Sequence, residues 1–137
     1  MRILALDYGT KKCGLAVTDP LQLIATGLET VPTGRLWEWL EDYLAREQVS
    51  DLVIGESLTL EGTDNPLQTQ IVGFERKFAK RYPGIRQHRQ DEFRTSVRAR
   101  EQMLAMGMKK KRRRDKSEVD RIAAALLLQD FLEERRR

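Results

Sequence analysis

One cysteine and one histidine stand among 137 residues. The lone Cys13 excludes an internal disulfide framework, and with only His88 beside it a Cys/His zinc site lacks ligands. Any metal this chain holds must therefore be held by oxygens. No run of about 18 apolar residues occurs, which disfavours a membrane-spanning helix. The N-terminus enters a strand directly instead of the apolar stretch of a signal peptide. A cytoplasmic protein without a membrane partner is expected. There are no repeats, and low-complexity sequence is confined to two basic runs.

What is present is an ordinary globular composition, 40% hydrophobic and 34% charged, of a length that fits one domain over residues 1–137. The net charge of +4 is unevenly spread. Lys109, Lys110, Lys111, Arg112, Arg113 and Arg114, with the terminal arginines at 135–137, supply 9 of the 25 basic residues, and the other 16 are outnumbered by 21 acids. A mildly acidic body with concentrated cations suits a partner of high negative charge, such as nucleic acid. The alternative is a solvated basic loop at 109–116 and a frayed tail at 134–137, both expected to be mobile.

Residues 3–6, 13–18 and 23–31 read as three closely spaced strands, hence an antiparallel meander. From Thr33, a candidate N-cap, Leu36, Trp39, Leu40, Tyr43 and Leu44 recur at helical spacing. The apolar run at 50–57 reads as a strand covered on both faces. A loop follows, then a helix opening at Asn65 and Pro66 with Leu67, Ile71, Phe74 and Phe78 along one stripe. Residues 85–90 are polar enough for an edge strand. A helix at 95–106 and a last helix from Ser117 complete the order. Right-handed crossovers then place the strands as 3-2-1-4-5 in a mixed sheet with helices on both faces. That α/β layout is ribonuclease-H-like, although periodicity alone also allows other α/β sandwiches.

Asp7, Glu56 and the pair Asp91 and Glu92 all fall where strands end, at the edge where open α/β sheets carry their sites. Clustered carboxylates repel one another unless a cation neutralises them, and all-oxygen ligation favours Mg²⁺ or Mn²⁺. Each acid could instead simply end a strand in solvent. Asp120 shares a helix face with Ala123, Ala124 and Leu127, yet Ser117-x-x-Asp120 also fits a capping box. Lys11 and Lys12 could contact phosphates or merely be exposed. Thr95 and Ser96 could contact a phosphate or cap a helix. Gly9 and Gly14 could admit close approach of a phosphate backbone or simply make a hairpin, and Trp37, Trp39 and Tyr43 read as packing, Cys13 as core and His88 as structural.

Four segments, "LALDYGTKKCGLAVTDPLQLIATGLETV", "LVIGESL", "QDEFRTSVRA" and "DKSEVDRIAAALLLQDFLE", resemble in matching order the YqgF (RuvX) family. The resemblance implies a ribonuclease-H-like fold related to the RuvC Holliday-junction resolvases. It also implies a bacterial nuclease thought to mature the 5′ end of the small-subunit ribosomal RNA precursor. The family's catalytic, metal-binding acids fall on Asp7, Glu92 and Asp120, with Asp91 and Glu56 as secondary acids. Two departures are visible: Phe93 displaces the family's arginine to Arg94, and Gly55-Glu56-Ser57 replaces Gly-Leu-Pro.

On this reading two Mg²⁺ or Mn²⁺ ions serve phosphodiester hydrolysis. The backbone of the nucleic acid is held by Lys11, Lys12, Arg94, Thr95, Ser96 and the run from Lys109 to Arg114. The small ribosomal subunit is a candidate partner, and the chain is a monomer or homodimer. Two alternatives stand beside it: a Holliday junction resolvase acting on branched DNA, and a non-catalytic module binding nucleic acid or the ribosome.

Overall fold

The computed structural model describes residues 1–56, 65–90 and 116–135, with the backbone alone for Glu56, Asn65, Pro66 and 116–120. Five strands, β1 (Arg2–Tyr8), β2 (Lys12–Thr18), β3 (Ala25–Pro32), β4 (Val49–Glu56) and β5 (Arg86–Gln90), form one sheet in the order β3-β2-β1-β4-β5. β1 pairs antiparallel with β2 and parallel with β4; β2 pairs antiparallel with β3, and β4 parallel with β5. The mixed sheet and its strand order are those expected. Helix α1 (Leu36–Arg46) joins β3 to β4, α2 (Asn65–Arg81) lies between β4 and β5, and α3 (Lys116–Arg135) closes the described chain. The helix expected at 95–106 lies outside the described residues.

Alternation of side chains along each strand separates two faces. One face carries Leu4, Leu6, Tyr8, Leu15, Leu52 and Ile54 beneath α1 and α2, which contribute Leu36, Leu40, Tyr43, Ile71, Phe74 and Phe78. The other carries Ile3, Ala5, Ala16 and Val53 beneath Ala124, Leu127, Leu128, Phe131 and Leu132 of α3. Covered on both faces, β1 and β4 need continuous apolar runs. A bulge adjusts β4: the register steps from Arg2↔Val49 to Ile3↔Asp51, passing over Ser50. Val49 therefore joins the α1 and α2 cluster, and Asp51 turns to the α3 face.

The row beneath the first half of α3 is built from small residues. Ala5, Ala16 and Gly27 are registered side by side on β1, β2 and β3. A Cβ at position 27 would lie 2.7 Å from Arg121 Cγ and 3.2 Å from the Arg121 carbonyl oxygen. Glycine there is what lets the backbone of α3 approach the sheet.

Thr33 does not cap α1. It opens a 3-10 turn (Thr33–Arg35), and the residue preceding α1 is Arg35, which makes no side-chain cap bond. Its hydroxyl donates instead to the Gly9 carbonyl at 2.8 Å, and its amide to the Lys11 carbonyl at 2.9 Å. The aromatic residues of α1 pack as expected: Trp37 lies 5.1 Å from Phe74, and Trp39 stacks on Tyr43 at 4.8 Å.

Candidate active site at the carboxyl end of the sheet

Asp7 is the next-to-last residue of β1 and only 1% exposed. Its register partners are Gly14 on β2 and Gly55 on β4, so neither flanking strand places a side chain beside the carboxylate. Gly14 lies within the strand expected at 13–18, and its register position is directly beside Asp7. The turn itself spans residues 9–11. Asp7 follows Ile3 and Ala5 on the face covered by α3, while the next residue, Tyr8, packs on Phe74 at 5.7 Å on the other face. Burial, with the neighbouring Cys13 adding to it, pushes the Tyr8 phenol above its ordinary range.

The row containing Asp7 continues to the sheet edge. Gly55 is registered with Gln90, the last residue of β5 and the residue before Asp91. Two strand spacings, about 10 Å, separate Gln90 from Asp7. Asp91, Glu92, Arg94, Thr95, Ser96 and the basic run from Lys109 to Arg114 lie outside the described residues. Glu56 ends β4 and is registered with Tyr8; Gly55, not Glu56, holds the position beside Asp7.

Asp120 is the fifth residue of α3, and its backbone is described. The helix row three, four and seven residues on, at Ala123, Ala124 and Leu127, is fully buried. A capping box needs Ser117 outside the helix, whereas α3 already begins at Lys116. Arg121, packed on Gly27, seats the head of this helix over β3.

Lys11 and Lys12 are exposed at the end of the β1–β2 hairpin, beside the end of β1 that carries Asp7. Thr33, expected only as a helix cap, makes two bonds to this turn that tie the lysines to the start of α1. Among the described residues, no cluster of three or more His, Cys, Asp or Glu side chains is placed to hold a metal. The donor chemistry around Asp7 nonetheless fits a hard cation. Its carboxylate offers oxygens in a nearly water-free position, Cys13 belongs to the opposite face, and His88 is bonded to Asp51. Oxygen ligands of this kind suit Mg²⁺ or Mn²⁺.

A second buried acid, which no sequence pattern marks, is Asp51, 4% exposed. It accepts hydrogen bonds from Ser50 Oγ at 2.6 Å and His88 Nε2 at 2.7 Å. Burial pushes its carboxyl up, but these bonds, with the charges of His88 and Arg135, outweigh burial and hold it below the usual carboxylate range.

Residues 1–134 match a family described as "RuvX: Holliday junction resolvase". A protein of Christiangramia forsetii named "Putative pre-16S rRNA nuclease" is 46% identical over 133 residues, covering 97% of this chain and 98% of its own length. A Bacteroides thetaiotaomicron protein of the same name is 43% identical over 135 residues, covering 98% of each chain. Thermus thermophilus RuvC, solved with a Holliday junction substrate, superposes with a TM-score of 0.61 at 20% identity, over 99% of this chain and 96% of that one. The fowlpox virus Holliday junction resolvase gives 0.58 at 14% identity, over 98% and 99%. The likeness in structure establishes the ribonuclease-H-like fold.

Proposed function

The chain belongs to the RuvX family, and from that premise we propose that it is a nuclease hydrolysing phosphodiester bonds of the small-subunit ribosomal RNA precursor, at its 5′ end. The observation that carries this reading is a buried carboxylate, Asp7, at the carboxyl end of a resolvase-type sheet with glycine on both flanking strands. Asp7, Glu92 and Asp120 are the proposed ligands, with Asp91 and Glu56 as secondary acids. When bound, a pair of Mg²⁺ or Mn²⁺ ions supplies activation of water and neutralisation of charge on the leaving oxygen.

The chain's own contribution is placement. Burial within β1 holds the Asp7 carboxylate in one position, and no side chain stands beside it at the registered positions Gly14 and Gly55. Lys11 and Lys12, fixed through Thr33, hold the backbone on the hairpin side. Arg94, Thr95, Ser96 and the cations from Lys109 to Arg114 hold it elsewhere along its path. Water attacks phosphorus and the 3′ oxygen departs, leaving a 5′ phosphate and a 3′ hydroxyl. Recognition rests on shape and single-strandedness. The reaction belongs to the cytoplasm, with the small subunit as partner and a monomer sufficient for a single cut.

The test is cleavage of precursor ribosomal RNA, single-stranded RNA and four-way junction DNA in Mg²⁺ or Mn²⁺, with Asp7→Asn alongside. Precursor RNA is cut, and Asp7→Asn lowers the rate by about 10²- to 10³-fold or more without lowering the unfolding temperature. Undiminished cleavage by Asp7→Asn overturns the site. The family's description as a Holliday junction resolvase favours one second reading, symmetrical cutting of branched DNA by a dimer. Preference for the junction substrate would select it.

A further inference from the structure

Helix α2 buries Ile71, Phe74 and Phe78. Its opposite side, at spacings of three and four residues, reads Thr69, Gly73, Arg76, Lys77 and Lys80, which share one stripe. All five are exposed, as is Arg81 beside them. The helix has a single acid, Glu75, and Arg89 takes it in two 2.9 Å contacts. Among the described residues no carboxylate pairs with Arg76, Lys77, Lys80 or Arg81.

A helix favours cations in its last turn, where its dipole is negative, and Lys80 and Arg81 stand there. Arg76 and Lys77 lie a turn earlier, beyond that effect. Arg76 with Lys80, and Lys77 with Arg81, are like charges four residues apart, which weakens a helix. Gly73 weakens it further, since alanine is the better helix former. Packing does not require glycine there, because a Cβ at position 73 would meet nothing within 4 Å. The repulsion and the missing side chain have one explanation in common. An anion lying against the helix neutralises the cations, and glycine lets a backbone come close.

This face joins the hairpin beside Asp7. Lys77 Nζ is held 4.4 Å from the centre of the Trp37 ring, which packs on Phe74, and Phe74 packs on Tyr8, the residue after Asp7. Trp37 opens α1 just after the exposed Arg35, and the Thr33 turn before it is bonded to the Gly9 and Lys11 carbonyls. Lys11, Lys12, Arg35 and Lys77 therefore succeed one another from the hairpin onto α2.

We propose that this face of α2 is a second contact for the substrate: a stretch of RNA passing Lys11 and Lys12 lies with its phosphodiester backbone over Gly73 and its phosphates on Arg76, Lys77 and Lys80. The choice of RNA rests on the reading above. A second copy of the chain would set the same four cations against these. The contact positions the strand and reads no bases.

The test is the anisotropy of labelled single-stranded RNA bound to the full chain in EDTA and titrated with salt, with polyglutamate as a second anionic probe. It compares wild type with the triple variant Arg76→Gln, Lys77→Gln, Lys80→Gln and with Gly73→Leu. The triple variant lowers the slope of log affinity against log salt by about 2, at roughly 0.7 for each of three phosphates. Gly73→Leu raises the urea midpoint by adding a better helix former. It nevertheless weakens RNA binding by roughly tenfold, the loss expected when one charge-assisted contact is no longer reached. An unchanged slope in the triple variant overturns the proposal, as does an RNA affinity that Gly73→Leu leaves intact. A triple variant that keeps RNA and loses polyglutamate assigns the face to an acidic protein, which also overturns it. Binding in EDTA is read without cleavage. A wild-type chain that binds RNA through this face and cuts none therefore fails the nuclease reading, and one that cuts while both variants bind as it does fails this proposal.

Discussion

At the scale of single residues, the site depends as much on missing side chains as on present ones. Asp7 sits between Gly14 and Gly55, and no local pattern marks those two glycines as its neighbours. Asp51 shows the opposite arrangement, a buried acid whose oxygens are both occupied. Its carboxyl titrates below its ordinary value of 3.8 in the folded chain. A depressed folded pKa contributes stability that is fully present above the ordinary value and is lost as pH falls through the folded one. Asp51→Asn should therefore cost about 1–3 kcal/mol at neutral pH. In urea unfolding across pH, its gap from wild type should narrow below the ordinary carboxylate range, whereas a pH-independent gap would assign the cost to packing.

At the scale of elements, apolar periodicity made β1, β2, β4, α1 and α2 legible, because burial against a sheet demands it. It also brought out Asp7, as a charge at the end of an apolar run. The seat of α3 was not legible. It depends on Ala5, Ala16 and Gly27 lining up across three strands, and small residues give no periodic signal. Gly27→Val would drive a branched side chain into the Arg121 carbonyl, which already lies 3.2 Å from an added Cβ. The expected cost is about 1–3 kcal/mol, read as a lower urea midpoint at unchanged m. Thr33 departs from its expected role as a cap for a related reason: its sequence position suits an N-cap, but the β1–β2 turn, 24 residues earlier, offers a carbonyl that only the folded sheet brings near.

At the scale of the molecule, charge is the organising feature. Among the described residues no helix is long and apolar enough to cross a membrane, and 9 of the 25 basic residues fall in two short runs of the sequence. If the six cations from Lys109 to Arg114 hold a nucleic-acid backbone, neutralising them should flatten the plot of log affinity against log salt. The slope falls by about 0.7 to 0.9 for each phosphate that the protein no longer neutralises. Binding of RNA to the full chain, titrated with salt, measures this, and an unchanged slope would make the run a solvated loop.

The order of the described strands and helices, the two-faced alternation that builds the sheet and the placement of Asp7 at a strand end were all legible in the sequence alone. Each follows from local pattern or composition. The tertiary structure alone decided that Gly55 and not Glu56 stands beside Asp7 on β4, that Gly14 stands beside it on β2, that Thr33 pins the hairpin, and that His88 finds Asp51. These depend on register between segments far apart in the chain. Register is a property of paired strands, and no single segment contains it.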